Sequence, residues 1–164
     1  MFTLFDLPNS YEIPESERQR MFRRVEQFAK LPGNDWLNSI NWQAVNLKWA
    51  NGMTPENGVL GCFVFWTNTI YLQPEDVYNS GKGSQWPELQ VPTLIHELRH
   101  KWQYERNKLL YILCCLPILR EITIERDAEK ITKKADEFCE AMDRYEAEAE
   151  YERKQAEKER KKKK

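Results

Sequence analysis

Thr93-Leu94-Ile95-His96-Glu97-Leu98-Arg99-His100-Lys101-Trp102 is the stretch on which the reading of this chain turns. Pro92-Thr93 opens a helix expected to run to about Lys108, since proline is tolerated in a first helical turn. On such a helix residues four apart are separated by about 6 Å of rise and about 40° of rotation, so His96 and His100 project from one face. Two neutral imidazoles so placed can share a zinc ion, which takes nitrogen ligands at about 2.0–2.1 Å and, in a catalytic site, three protein ligands plus water. The metal lowers the water's pKa to about 7. Glu97, beside the first histidine, can take its proton, orient attack on a peptide carbonyl and return the proton to the leaving amine. The chain has 2 histidines in all, and both fall in this window. A chance match on a solvated helix is the alternative, but Thr93-Leu94-Ile95, Leu98 and Trp102 argue for a helix that is buried where its ligands sit.

Upstream of the motif, Met21, Phe22, Val25, Phe28 and Ala29 recur at three- and four-residue spacing after Pro14, predicting an amphipathic helix that ends near Leu31. Pro32-Gly33-Asn34-Asp35 stops it, and Trp36 to Trp42 reads as a short helical turn whose aromatics enter the core. Gln43 to Ala50 alternates in part, Asn51-Gly52 is a turn, and Val59 to Trp66 is rich in β-branched and aromatic residues. Thr67-Asn68 separates that run from Thr69-Ile70-Tyr71-Leu72. The expectation is an α+β fold: a small antiparallel sheet of about three strands, a meander, packed on the motif helix between N-terminal and C-terminal helices. Gln73 to Pro92, with Pro74, Gly81, Gly83 and Pro87, is expected to be a surface loop that can overhang a cleft.

Downstream, Leu109 to Leu119 is the longest apolar run. Broken by Pro117 and well short of the roughly 20 residues a membrane span needs, it is expected to be buried core. Pro117 starts a further helix with Ile118, Ile122, Ala128, Ile131, Ala135 and Phe138 as its inward stripe. Beyond Ala141 the pattern becomes Glu, Ala, Lys and Arg, which predicts a solvated helix fraying into a lysine-rich tail. A chain of 164 residues suits one core. We therefore expect a single domain over 1–141 and a charged extension over 142–164. The 31% charged fraction exceeds the usual quarter because of that extension, and the net charge of −1 points to no particular partner. Met1-Phe2-Thr3-Leu4-Phe5-Asp6 lacks the basic-then-apolar order of a secretory signal, so a cytoplasmic location is expected. Cys62, Cys114, Cys115 and Cys139 lack Cys-x-x-Cys spacing and read as reduced, mostly buried thiols.

With no histidine left, the third ligand has to be a carboxylate or Cys62 if zinc has three from the protein. Glu125 borders the inward stripe, three residues beyond Ile122 and three before Ala128, and Glu121 also borders apolar positions. The residues alone leave Glu125, Glu121 and Cys62 open. Leu94 to Gln103, preceded by strands, resembles the small gluzincin-type metallopeptidases of bacteria and phages, over roughly Val59 to Glu137. The resemblance implies one zinc ion and a glutamate ligand on a later helix within a Glu-x-x-Ala-Asp/Glu pattern, which Glu125-Arg126-Asp127-Ala128-Glu129 fits. It implies further that Glu129 orients a zinc histidine. Thr69, Ile70, Tyr71 and Leu72 would by the same resemblance be the edge strand to which an extended peptide adds. Some gluzincins stabilise the oxyanion with a downstream histidine, which this chain lacks, so a tyrosine or arginine would serve.

The implied activity is that of a zinc peptidase in the cytoplasm of a bacterial or phage-infected cell, acting on peptide or protein substrates. No membrane partner is expected, and nucleic-acid contact is limited to non-specific phosphate neutralisation by the lysine tail, which has no interleaved aromatic residues. Two rival readings stand beside it. Peptide deformylases also carry a His-Glu-x-x-His helix and use an upstream cysteine, as Leu60-Gly61-Cys62-Phe63 could supply, but their Glu-Gly-Cys-Leu-Ser pattern is not reproduced. The other is a non-catalytic zincin-like protein with an interaction, phage-structural or regulatory role.

Overall fold

Pro14 stands at the N-cap of the first helix, α1 (Glu15–Ala29), with Glu15 and Glu17 in its first turn, where carboxylates meet the positive end of the helix dipole. Its stripe is as expected: Met21, Val25, Phe28 and Ala29 are buried and Phe22 packs against them. The computed structural model describes residues 9–50, 60–74, 90–114 and 121–162. Within them β1 (Ser10–Glu12) precedes α1, and 3-10 turns at Asp35–Ser39 and Trp42–Ala44 follow it. Then come β2 (Asn46–Ala50), β3 (Gly61–Val64), β4 (Thr69–Leu72), α2 (Gln90–Arg106), α3 (Lys108–Cys114), a π-helical turn (Glu121–Glu125) and α4 (Arg126–Lys162).

The α+β class holds, but the sheet has four strands in the order β1-β2-β4-β3 and is mixed. β1 and β2 are antiparallel, β3 and β4 are antiparallel, and β2 runs parallel to β4, with Leu47 opposite Ile70. Burial explains the departure from a meander. All four residues of β4 are buried, as suits a strand covered on both faces, so β4 takes the centre beside β2. β3, which has Gly61 and the half-buried Cys62 and Val64, goes to the outside. Asn68, at a left-handed φ of 50°, makes the β3–β4 turn; its side chain donates to the Ala44 carbonyl (3.0 Å) and accepts from Lys101 Nζ (2.8 Å). One residue thus ties the hairpin to the approach to β2 and to α2.

One sheet face, with Leu47, Trp49, Phe63, Ile70 and Leu72, shares the main core with Val91, Leu94, Ile95 and Leu98 of α2 and with α1. α2 begins two residues before Pro92 and stops at Arg106, short of Lys108, because Asn107 accepts the Leu110 backbone N–H (3.0 Å) and starts α3 as a separate helix. The apolar run that α3 opens is not buried core over its described part. Leu109, Leu110, Ile112 and Leu113 are 70%, 55%, 48% and 50% exposed, and Tyr111 alone of this group turns inward.

In α4, Ala128 and Ala135 are buried and Ile131 and Phe138 pack on the core, as the stripe predicts, and Cys139 is buried beside them. The helix continues unbroken through 141 to Lys162, exposed over most of its second half, and the buried Arg24 of α1 reaches Asp143 (3.4 Å) and Glu146 (2.8 Å) on it. No described helix is long and apolar enough to cross a membrane. The expectations for residues 1–6, the Asn51-Gly52 turn, the 75–89 part of the loop, Cys115, Pro117, Ile118 and the last two lysines lie outside the described residues. So do those for the side chains of Cys114, Glu121 and Ile122.

Candidate metal centre

α2 delivers His96 and His100 from one face, and the π turn delivers Glu125 opposite them. Their ligand atoms converge: His100 Nε2 lies 3.0 Å from His96 Nε2, and Glu125 Oε2 lies 3.2 Å from the first histidine's Nε2 and 3.3 Å from the second's. A tetrahedral zinc site with bonds of about 2.0–2.1 Å has ligand–ligand edges of about 3.3 Å, so the spacing fits that ion. These three are the one group of histidine, cysteine and carboxylate ligands within metal-binding reach among the described residues. Ala128, fully buried, lets α4 approach α2 closely enough to bring Glu125 in. A π turn at the ligand itself has no sequence signal here, although such turns are common at functional sites.

The protonation of both rings follows from their neighbours. Thr132 Oγ1 donates its one hydrogen to the Ala128 carbonyl (3.0 Å), so toward His96 Nδ1, 2.9 Å away, it accepts. The amide nitrogen of Gln103 donates to the Ile124 carbonyl (3.1 Å) and to Asp127 Oδ2 (2.9 Å), which turns its oxygen toward His100 Nδ1 at 2.9 Å. Both Nδ1 atoms therefore carry hydrogen and both Nε2 lone pairs face Glu125. Three acceptors aimed at one point repel unless a cation stands between them. A proton can satisfy one edge of that triangle and a divalent metal satisfies all three. Burial by itself would depress His100, but the Glu125 hydrogen bond, with the charges of Glu97 and Glu125 and the Gln103 contact, outweighs it and holds the imidazole above its ordinary pKa.

Behind the ligands, Arg99 fixes Asp127 with two hydrogen bonds (2.7 and 3.2 Å), and its guanidinium carbon lies 3.9 Å from the ring centre of Trp102 and 4.9 Å from that of Trp36. Burial would raise Asp127, yet the hydrogen bonds from Arg99 and Gln103 overcome it and hold the carboxyl below its usual range. His100 is thus oriented by a chain that ends on two tryptophans.

Glu97 is buried and faces the sheet. Desolvation pushes its pKa up, with the two imidazoles and the Phe63 backbone N–H opposing and Glu125 adding to the rise. Gly61 makes room for it: a Cβ there would meet Thr93 Cγ2 at 2.7 Å and Glu97 Cγ at 3.0 Å.

The structure brings together His96, Glu97, His100 and Glu125 and separates the other expected site residues. Glu129 is exposed, and Thr132 and Gln103 hold the imidazoles in its stead. On a helix Glu129 lies about 100° from Ala128, which faces α2, whereas Thr132 lies about 40° from it. Thr69 to Leu72 is a central strand and offers no edge. Cys62 packs with Ala50, Tyr71 and Val64, apart from the core that α2 shares, and takes no part in the ligand group. Gln103, Thr132, Asp127 and Gly61 were not anticipated. The available signals were the three-residue spacing of Gln103 after His100, the seven-residue spacing of Thr132 after Glu125, and a glycine inside a strand.

No protein-family model, curated protein or solved structure matches this chain significantly.

Proposed function

We propose that the chain is a zinc-dependent peptidase of the gluzincin type its motif resembles. The observation that carries this reading is the convergence of His96 Nε2, His100 Nε2 and Glu125 Oε2, each histidine held in the tautomer that leaves Nε2 bare, beside the buried carboxylate of Glu97. Zinc held by those atoms supplies Lewis acidity and lowers the pKa of an adjacent water toward about 7. Glu97 is the proton carrier: desolvation has raised its proton affinity and the Phe63 N–H orients it, so it accepts a proton during attack on the peptide carbonyl and returns it to the leaving amine. Thr132 and Gln103 keep the rings from turning. An extended substrate strand adds along β3, an outer strand of the sheet among the described residues, whose Gly61 lies against Glu97. Cytoplasmic location goes with this reading.

Glu97→Gln tests the assignment, because the amide keeps the shape and removes the base. Zinc content should stay at the wild-type level while cleavage of casein or a peptide library falls by about 10²–10⁴. A variant as active as wild type removes Glu97 from the mechanism. A wild-type protein that holds zinc and cleaves neither substrate favours the non-catalytic zincin-like role instead.

A further inference from the structure

We propose that the outward face of α3, with the exposed Trp66 linked to this helix through Phe65 and Tyr111, is a lipid-contacting surface that seats the protein on an anionic bilayer. The face begins immediately after α2. Leu109, Leu110, Ile112 and Leu113 are 70%, 55%, 48% and 50% exposed, a density of bare aliphatic side chains that a solvated helix does not carry. At 3.6 residues per turn these four span an arc of about 160°, and Tyr111 lies opposite its middle. That inward residue is buried beside Ile124, with its ring 6.3 Å from that of His100. Among its described side chains the helix is therefore amphipathic in an inverted sense: the packed residue is a tyrosine and the solvent face is aliphatic.

Two further observations select the occupant. Trp66 is 56% exposed and stacks edge-on against Phe65, which in turn meets Tyr104 and Tyr111 beneath α3. An exposed tryptophan in this neighbourhood is the residue that favours the headgroup level of a bilayer. Arg106 and Lys108 are exposed at the start of α3, Lys108 over the Tyr104 ring and Arg106 over that of Trp102, while the nearby Glu105 is paired with Lys101. The border is locally basic although the chain's net charge is −1, so an anionic surface is attracted here as well as to the lysine tail, and the substitutions on α3 tell the two apart. A second copy of the chain fits less well. Over its described residues, 108–114, the face is about 10 Å long, small beside the roughly 800 Å² per partner of a stable dimer. Insertion into a lipid interface needs no matching partner surface, only an apolar face with basic and aromatic residues at its rim. The surface does not depend on the metal reading.

Vesicle flotation tests it, with phosphatidylcholine alone and with phosphatidylcholine containing phosphatidylglycerol. The full chain should float with the anionic vesicles, and its tryptophan emission should shift to the blue in wild type more than in Trp66→Phe. Leu110→Asp with Leu113→Asp should weaken binding by about ten-fold or more. Lys108→Glu should weaken it by about five-fold or more on anionic vesicles and leave phosphatidylcholine unaffected. All these side chains are exposed, so circular dichroism and zinc content should match wild type, which separates lost binding from lost folding. Absence of wild-type flotation overturns the proposal, as does equal binding by the leucine variants. A wild-type dimer in sedimentation that the leucine variants dissolve, without flotation, makes the face a contact between copies.

Discussion

α2 keeps Glu97, His100 and Lys101 at 5% exposure or less, while α3, two residues further on, leaves Leu109 and Leu110 at 70% and 55%. Hydropathy alone would have exchanged the two helices. Each of these three buried groups has a partner that makes burial tolerable: the Phe63 N–H for Glu97, Gln103 for His100, and Asn68 with Glu105 for Lys101. The leucines of α3 face outward with no comparable need. The contrast teaches that the packing around α2 is arranged to hold ionisable groups dry and fixed, a requirement of a site rather than of stability.

The sharpest way to break this contrast is to shorten one leucine on each helix. Leu98→Ala, in the fully buried row of α2, should lose about 2–5 kcal/mol in urea unfolding. Leu110→Ala on α3 should stay within about 0.5 kcal/mol of wild type. Equal losses would mean that α3 is packed after all. Next in size, Gln103→Leu leaves the His100 Nδ1 hydrogen without its acceptor, so zinc affinity should fall about 10–100-fold while Leu110→Ala keeps it unchanged. Chelator competition reads both.

Much of this was legible. The i, i+4 histidines, the glutamate between them and the Glu125 pattern predicted the residues that meet, because helical periodicity is a local property. Met21, Val25 and Phe28 predicted α1 for the same reason. The parallel pairing of β2 with β4 was not legible, since it depends on which strand is covered on both faces, and β1 is too short and polar to register. Glu129 rests on the resemblance alone, whereas the Ala128, Ala135 and Cys139 face points to Thr132. Leu109 to Leu113 misled because an apolar composition does not say whether protein or another phase covers it.

Smaller effects sharpen the view of α4. Desolvation, with Glu140 and Glu137 nearby, raises the pKa of Asp136. A carboxyl whose folded pKa is raised costs stability when ionised, and the cost disappears as pH falls through that folded value. Asp136 is exposed, so solvent screening keeps the effect small: Asp136→Asn should stabilise by about 0.2–0.5 kcal/mol at neutral pH, with the gain vanishing in the acid range where wild-type Asp136 is protonated. Thermal melts across pH will show it. Removal of 151–164, exposed over 151–161, should leave the melting temperature and zinc content nearly unchanged, because the Arg24 contacts at Asp143 and Glu146 remain.

The most direct test of the whole reading is a zinc titration against a fluorescent chelator with wild type, Glu125→Ala and Cys62→Ala in parallel. Wild type should take up about one equivalent, Glu125→Ala should lose affinity by about two orders of magnitude or more, and Cys62→Ala should match wild type. Zinc that stays bound to Glu125→Ala and leaves Cys62→Ala, or a wild type that binds none, would contradict the metal centre described here.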